Sequence, residues 1–136
     1  MGCKNISEND VDEVRIDPLT LNEWLSESPD AYLILDARSQ SDFQSEHIPG
    51  AEHIATPSVD PNNIDPRFEQ YKAVVVYGQN PAFGRANVLT KRFLEAGVDV
   101  FMLDGGLMQW KLQGLPITRN ASGDPLNEGK SPADSE

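Results

Sequence analysis

The chain has 136 residues, 38% of them apolar, which is enough to bury one core and argues for a single domain. Its net charge of −11 sets aside nucleic acid and anionic membranes as partners, because both need clustered Lys and Arg. The one cysteine, Cys3, excludes an internal disulfide or a Cys-rich zinc site, and His47 and His53 could not complete a zinc site without carboxylates, so neither metal nor cofactor is expected.

Residues 1–13, MGCKNISENDVDE, read as a disordered acidic segment. Gly2 and Cys3 resemble a dual-acylation start, but Ile6 stands where myristoylation wants Ser or Thr, so membrane attachment is the minor alternative to a cytoplasmic location. No apolar h-region precedes Cys3, and no run approaches the roughly 18 apolar residues of a membrane span. Val14 to Ile16 suits a short strand, and Asp17-Pro18 reads as N-cap and first residue of a helix carrying Leu21, Trp24 and Leu25. Tyr32 to Leu35 is apolar throughout, as in a strand buried on both faces.

SQSDFQSE then predicts a helical turn, and His47-Ile48-Pro49-Gly50-Ala51 a turn leading to a short strand near His53-Ile54. Residues 55–72, with Pro57, Pro61 and Pro66, read as loop with one helical turn around Arg67 to Tyr71. Ala73 to Tyr77 is the second fully apolar strand. Asn80-Pro81 reads as the start of a helix with Ala82, Ala86, Leu89, Phe93 and Ala96 on one face, closed by Gly97. Val98 to Leu103 suits a strand, and Asp104 an N-cap for a last helix bearing Met108, Trp110 and Leu112 and ended by Gly114. Residues 119–136, rich in Gly, Pro, Ser and charge, read as a disordered tail. Strands alternating with helices predict an α/β fold over 14–118, doubly wound, with a mainly parallel sheet between helices.

Two stretches carry a family resemblance. LILDARSQSDFQSEHIPGA and VFMLDGGLMQWKLQGLPI, in this order and spacing, resemble the two signatures of the rhodanese-like superfamily. The resemblance covers residues 14–118 and implies a doubly wound fold and sulfur transfer. In active members a Cys ends the strand before the loop and accepts sulfane sulfur, and a phosphatase branch also depends on that Cys and a following Arg. Gly78 occupies the matching position here. The resemblance assigns Asp36, Arg38, His47, Gly50, Asp104, Gly105, Gly106 and Trp110 to structural roles.

The chemistry needs a thiolate, whose pKa a helix N-terminus lowers, and Gly78 has no atom to offer. Gln79 and Asn80 are amides, and Tyr77 ends a buried strand, so no catalytic residue is assigned. An anion cradle could still be formed by Gly78, Gln79, Asn80, Ala82, Phe83, Gly84 and Arg85, the glycines permitting turned-back dihedrals and Arg85 adding charge. Against it, Pro81 has no N–H to give, and a plain structural turn is the favoured reading. The expectation is a non-catalytic binding or regulatory module with a protein or small-anion partner. The alternative is a sulfurtransferase-like protein handling sulfane sulfur or an anion at the 78–85 loop.

Overall fold

Five parallel strands, in the order β1-β6-β5-β2-β4, form the centre of a computed structural model that describes residues 6–80, 82 and 84–119. Gly2, Cys3, Pro81, Phe83 and the tail 120–136 lie outside the described residues. In chain order the elements are α1 (Glu8–Asp12), β1 (Arg15–Ile16), α2 (Pro18–Glu27), β2 (Tyr32–Asp36), α3 (Gln40–Ser45) and β3 (Glu46–His47). They continue with β4 (Glu52–His53), β5 (Ala73–Tyr77), α4 (Gly84–Glu95), β6 (Val100–Leu103), α5 (Gly106–Leu112) and β7 (Thr118–Arg119). Single 3-10 turns occupy Thr56–Ser58 and Pro66–Glu69 within the proline-rich stretch.

The middle strands explain the layers. β2 and β5 pair from Tyr32 opposite Ala73 to Asp36 opposite Tyr77, and successive side chains point to opposite faces. Leu33, Leu35, Val74 and Val76 pack with Val11 of α1 and with Ala86, Leu89 and Phe93 of α4. Ile34, Val75 and Tyr77 pack with Leu21 of α2 and with Leu107 and Trp110 of α5. Both faces are covered, which is why these strands show no polar side. Asp17 caps α2 as expected, its side chain accepting the Thr20 N–H at 3.3 Å.

Several expectations are corrected. The acidic start is not disordered from Ser7 onward: Ser7 and Asp10 form a capping box that opens α1. Val11 is fully buried in the core, and Glu8 reaches Lys91 at 2.7 Å and Asn87 at 3.1 Å on α4. One buried apolar residue, together with the Glu8 contacts, docks an otherwise polar segment. Asn80 does not cap α4, which opens at Gly84; its Oδ1 accepts the Ala82 N–H at 3.0 Å in a local turn, and Ala82 is exposed before the helix. The last helix is capped by Gly105 at φ 80°, and not by Asp104. Asp104 donates its N–H to the Ile16 carbonyl at 2.8 Å and faces Arg15 at 3.6 Å, because β6 runs one residue further along β1. Strand β6 begins at Val100, and Val98 is buried in the core ahead of it.

A small antiparallel pair, Glu46 opposite Arg119 and His47 opposite Thr118, joins β3 to β7 outside the main sheet. The Glu46 carboxylate binds Lys111 and Arg119, and the Trp110 Nε1–H donates to the Pro116 carbonyl at 2.7 Å. The chain after α5 is thereby folded back against the body. Among the described residues no helix is long and apolar enough to cross a membrane.

Deleting residues 1–13 should destabilise the chain by about 2 kcal/mol, the scale for exposing one fully buried aliphatic side chain. Thermal melting of the full and shortened chains checks this. An unchanged melting temperature would show that α1 docks without holding anything.

Candidate functional site

The C-terminal ends of β2 and β5 bring Asp36, Tyr77 and Gly78 side by side. In open parallel sheets this edge is where ligands usually bind. Asp36 and Arg38 are almost wholly buried, at 0% and 3% exposure. Arg38 Nη2 lies 2.8 Å from Asp36 Oδ2, and its Nε lies 3.1 Å from Oδ1. The same guanidinium donates to Gln79 Oε1 at 3.0 Å, to the Asp42 carbonyl at 3.2 Å and to the Glu46 carbonyl. The Arg38 carbonyl meets His53 Nε2 at 2.8 Å. One side chain thus pins the loop after β5, the helix α3 and its exit into β3. Burial lowers the Arg38 pKa, but hydrogen bonds and charge from Asp36 outweigh it and hold the guanidinium above its ordinary value.

The His-Ile-Pro-Gly-Ala stretch is a tight turn. The Ala51 N–H bonds the Ile48 carbonyl at 3.0 Å, and Gly50 supplies the φ of 84° that such a turn needs after Pro49. The Tyr77 hydroxyl accepts the Ile48 N–H at 3.1 Å, so the strand end anchors this turn. His47 is buried, stacked on Phe43 with centroids 4.1 Å apart, and its Nδ1 meets the Phe43 carbonyl at 2.8 Å.

Burial, and then the facing Asp36 carboxylate, push the Tyr77 hydroxyl far above the phenol range. The folded chain keeps that proton, and the unfolded chain releases it above about pH 10. Stability should therefore fall as pH rises past that point, by up to about 1.4 kcal/mol per pH unit, and Tyr77→Phe should remove this component. Identical alkaline slopes in denaturant titrations of the two chains would refute the assignment.

The loop after β5 leans on α5. The Gly78 carbonyl accepts the Leu107 N–H at 2.9 Å, and the Gln79 carbonyl accepts the Met108 N–H at 2.9 Å. These bonds fill donors that a helix start otherwise leaves open. Gly106, at φ 66°, allows the approach: a Cβ there would stand 2.7 Å from the Gly78 oxygen. Gly78 itself is buried, Gln79 and Asn80 are half-buried, and Ala82, Gly84 and Arg85 are exposed. The Ala82 N–H is already engaged by Asn80, and the Gln79 amide oxygen by Arg38. The turned-back dihedrals expected in this loop sit instead in the segment facing it, at Gly105 and Gly106, and Gly84 has none.

Of the residues predicted as structural, Asp36, Arg38 and Gly106 meet at the loop, with His47 and Gly50 on the turn held by Tyr77 and Trp110 beneath in the core at 1% exposure. Asp104 points away from it, to Arg15. What sequence reasoning missed is Gln79 as the partner of Arg38, a contact 41 residues apart with no local signal. Beside the loop an open pocket of about 490 Å³ is lined by Arg38, Ser39, His53, Thr56, Gly84 and Arg85 among others. Thr56 Oγ1 is itself buried, without a hydrogen-bond partner among the described residues. The described residues hold no group of three His, Cys, Asp or Glu able to bind a metal.

Comparison with known proteins places these features in a family. The model of the rhodanese-like domain matches residues 18–113. An uncharacterized protein of Synechocystis sp. is 33% identical over 111 residues, covering 79% of this chain and 59% of that protein. An HTH-type transcriptional regulator of Mycobacterium tuberculosis is 28% identical over 96 residues, covering 71% of this chain and 40% of the regulator. The chain thus spans less than two thirds of either relative. Among solved structures, a thiosulfate sulfurtransferase from Pseudomonas aeruginosa superposes with a TM-score of 0.64 at 28% identity, covering 79% of this chain and 20% of that enzyme.

Proposed function

The chain belongs to the rhodanese-like domain family, and from that premise we propose that it is a member without a nucleophile, working as a binding or regulatory module. What carries this reading is Gly78, directly after β5, the position that the sequence resemblance matches to the family's catalytic Cys. Neighbouring groups support it: the Gly78 and Gln79 carbonyls are bonded to α5, the Ala82 N–H to Asn80, and the Gln79 side-chain oxygen to Arg38. The open pocket beside the loop, lined by Arg38, Ser39 and His53, offers a place for a small anion or a side chain of a protein partner. The Mycobacterium relative, named as a transcriptional regulator, is a precedent for this kind of domain within a regulatory chain.

The test is cyanide-dependent thiocyanate formation from thiosulfate by the purified chain. No turnover above background is expected. Turnover that persists in Cys3→Ser would overturn the reading, because Cys3 is the one thiol in the sequence.

A thiol placed at the loop probes the rival reading, in which the cradle survives. In a Cys3→Ser background, Gly78→Cys should titrate at or above the ~8.5 of a free cysteine, because the position is buried and the Ala82 N–H is already engaged by Asn80. Alkylation rates measured against pH read this directly. A thiol pKa clearly below that value would favour a preserved anion site and the sulfurtransferase-like alternative.

A further inference from the structure

At the opposite edge of the sheet, where β2, β5 and β6 begin, an open pocket of about 650 Å³ contains Trp24, Tyr32 and Phe101 with Glu27, Lys72 and Asp99. Trp24 stacks on Tyr32, with centroids 5.3 Å apart and planes at 15°, and meets the edge of Phe101 at 5.1 Å. All three rings pack against the core of this face and still stay partly exposed. Glu27 and Asp99 are exposed, and among the described residues neither takes part in an ion pair. Clustered aromatic surface open to water usually marks a contact site.

The chemistry of the wall selects the occupant. Aromatic faces are negative and attract cations, and two free carboxylates point the same way, against one Lys. The whole chain, at −11, steers a basic partner toward it and repels an acidic one. Residues 120–136 of this chain are a poor fit, with four acidic residues to one basic. A guanidinium suits the site better than an ammonium, being planar, less strongly hydrated and able to stack.

We propose that this pocket docks an arginine-bearing segment of a partner protein, its guanidinium against the Trp24, Tyr32 and Phe101 rings, with Glu27 and Asp99 as counter-charges. The loop after β5 takes no part, so the outcome of the thiocyanate assay leaves this proposal standing or falling on its own.

The test titrates the full chain with acetyl-Gly-Gly-Arg-Gly-Gly-amide, and with the same peptide carrying Glu or Leu in place of Arg. Amide chemical shifts and Trp emission are followed at low salt. The Arg peptide should give saturable shifts confined to the amides of Trp24, Glu27, Tyr32, Asp99 and Phe101. Trp24→Leu should weaken binding roughly tenfold. The surface pair Glu27→Gln with Asp99→Asn, which leaves the core intact, should also weaken it, and Lys72→Gln should tighten it by removing a like charge. Equal binding of the Glu or Leu peptide, shifts scattered over the acidic surface, or indifference to the paired substitution would overturn the proposal. So would the same amides shifting when residues 120–136 are deleted, since the chain's own tail would then be the occupant.

Discussion

Asp36→Ala should destabilise the chain by roughly 3–5 kcal/mol, because it leaves the buried Arg38 charge without its counter-ion. Arg38 cannot shed its proton, so it must leave the interior or stay unpaired. Leaving would break its bonds to Gln79 and to the Asp42 and Glu46 carbonyls, releasing the loop and α3 together. Chemical denaturation reads the loss. A cost below about 1 kcal/mol, the scale of an exposed pair, would mean that the guanidinium is solvated in the folded state. Replacing both partners, Asp36→Leu with Arg38→Met, should recover part of the loss by removing the orphaned charge. The raised Arg38 pKa fixes the pH window: its contribution is complete below the ordinary guanidine value and fades only as pH rises through the folded value. Between about pH 5 and 9 the effect of this group should be flat.

Gly106→Ala is the second large effect. The new Cβ would stand 2.7 Å from the Gly78 oxygen and 2.9 Å from the Asn80 nitrogen, at a φ of 66°. Both neighbours are backbone and cannot swing aside as a long side chain could. Left-handed strain and overpacking together should remove roughly 2–4 kcal/mol. Gly50→Ala is the control, having a φ of 84° but nothing within 4 Å of its Cβ, so only about 1–2 kcal/mol of conformational strain should appear. Denaturation midpoints of the two variants separate clash from conformation. Equal losses would show that the loop yields to Gly106.

The central strands and their order with the helices were legible because Tyr32 to Leu35 and Ala73–Tyr77 are apolar on both faces, which only a covered sheet permits. The start of α2 was legible because Asp17-Pro18 is a purely local signal. What failed was local chemistry that a distant strand or turn redirected. Asp104 has the right residue type for a cap, but pairing with Ile16 holds it at the end of the strand, one residue short of the cap position. Asn80-Pro81 reads as a cap, yet the Asn80 side chain closes a turn on Ala82 two residues before α4. Val11 sits in a polar stretch whose composition hides a single anchoring contact. At the site, the residues of the Asp-x-Arg and Gly-Gly motifs were visible, but what they hold was not: Gln79 and the Tyr77 hydroxyl depend on contacts 41 and 29 residues apart.

The sheet order also sets a schedule for assembly. β1 lies at the edge and pairs only with β6, Ile16 standing opposite Leu103. During synthesis, the first strand to appear must wait until nearly all of the domain exists before its partner does. Local helices can form early, but every strand pair in this sheet closes a long loop, and such contacts form slowly. Within the domain, the segment before α2 is therefore made well ahead of the strand that locks it down. Through that interval Val11 and Ile16 remain open to solvent, and to proteases or chaperones.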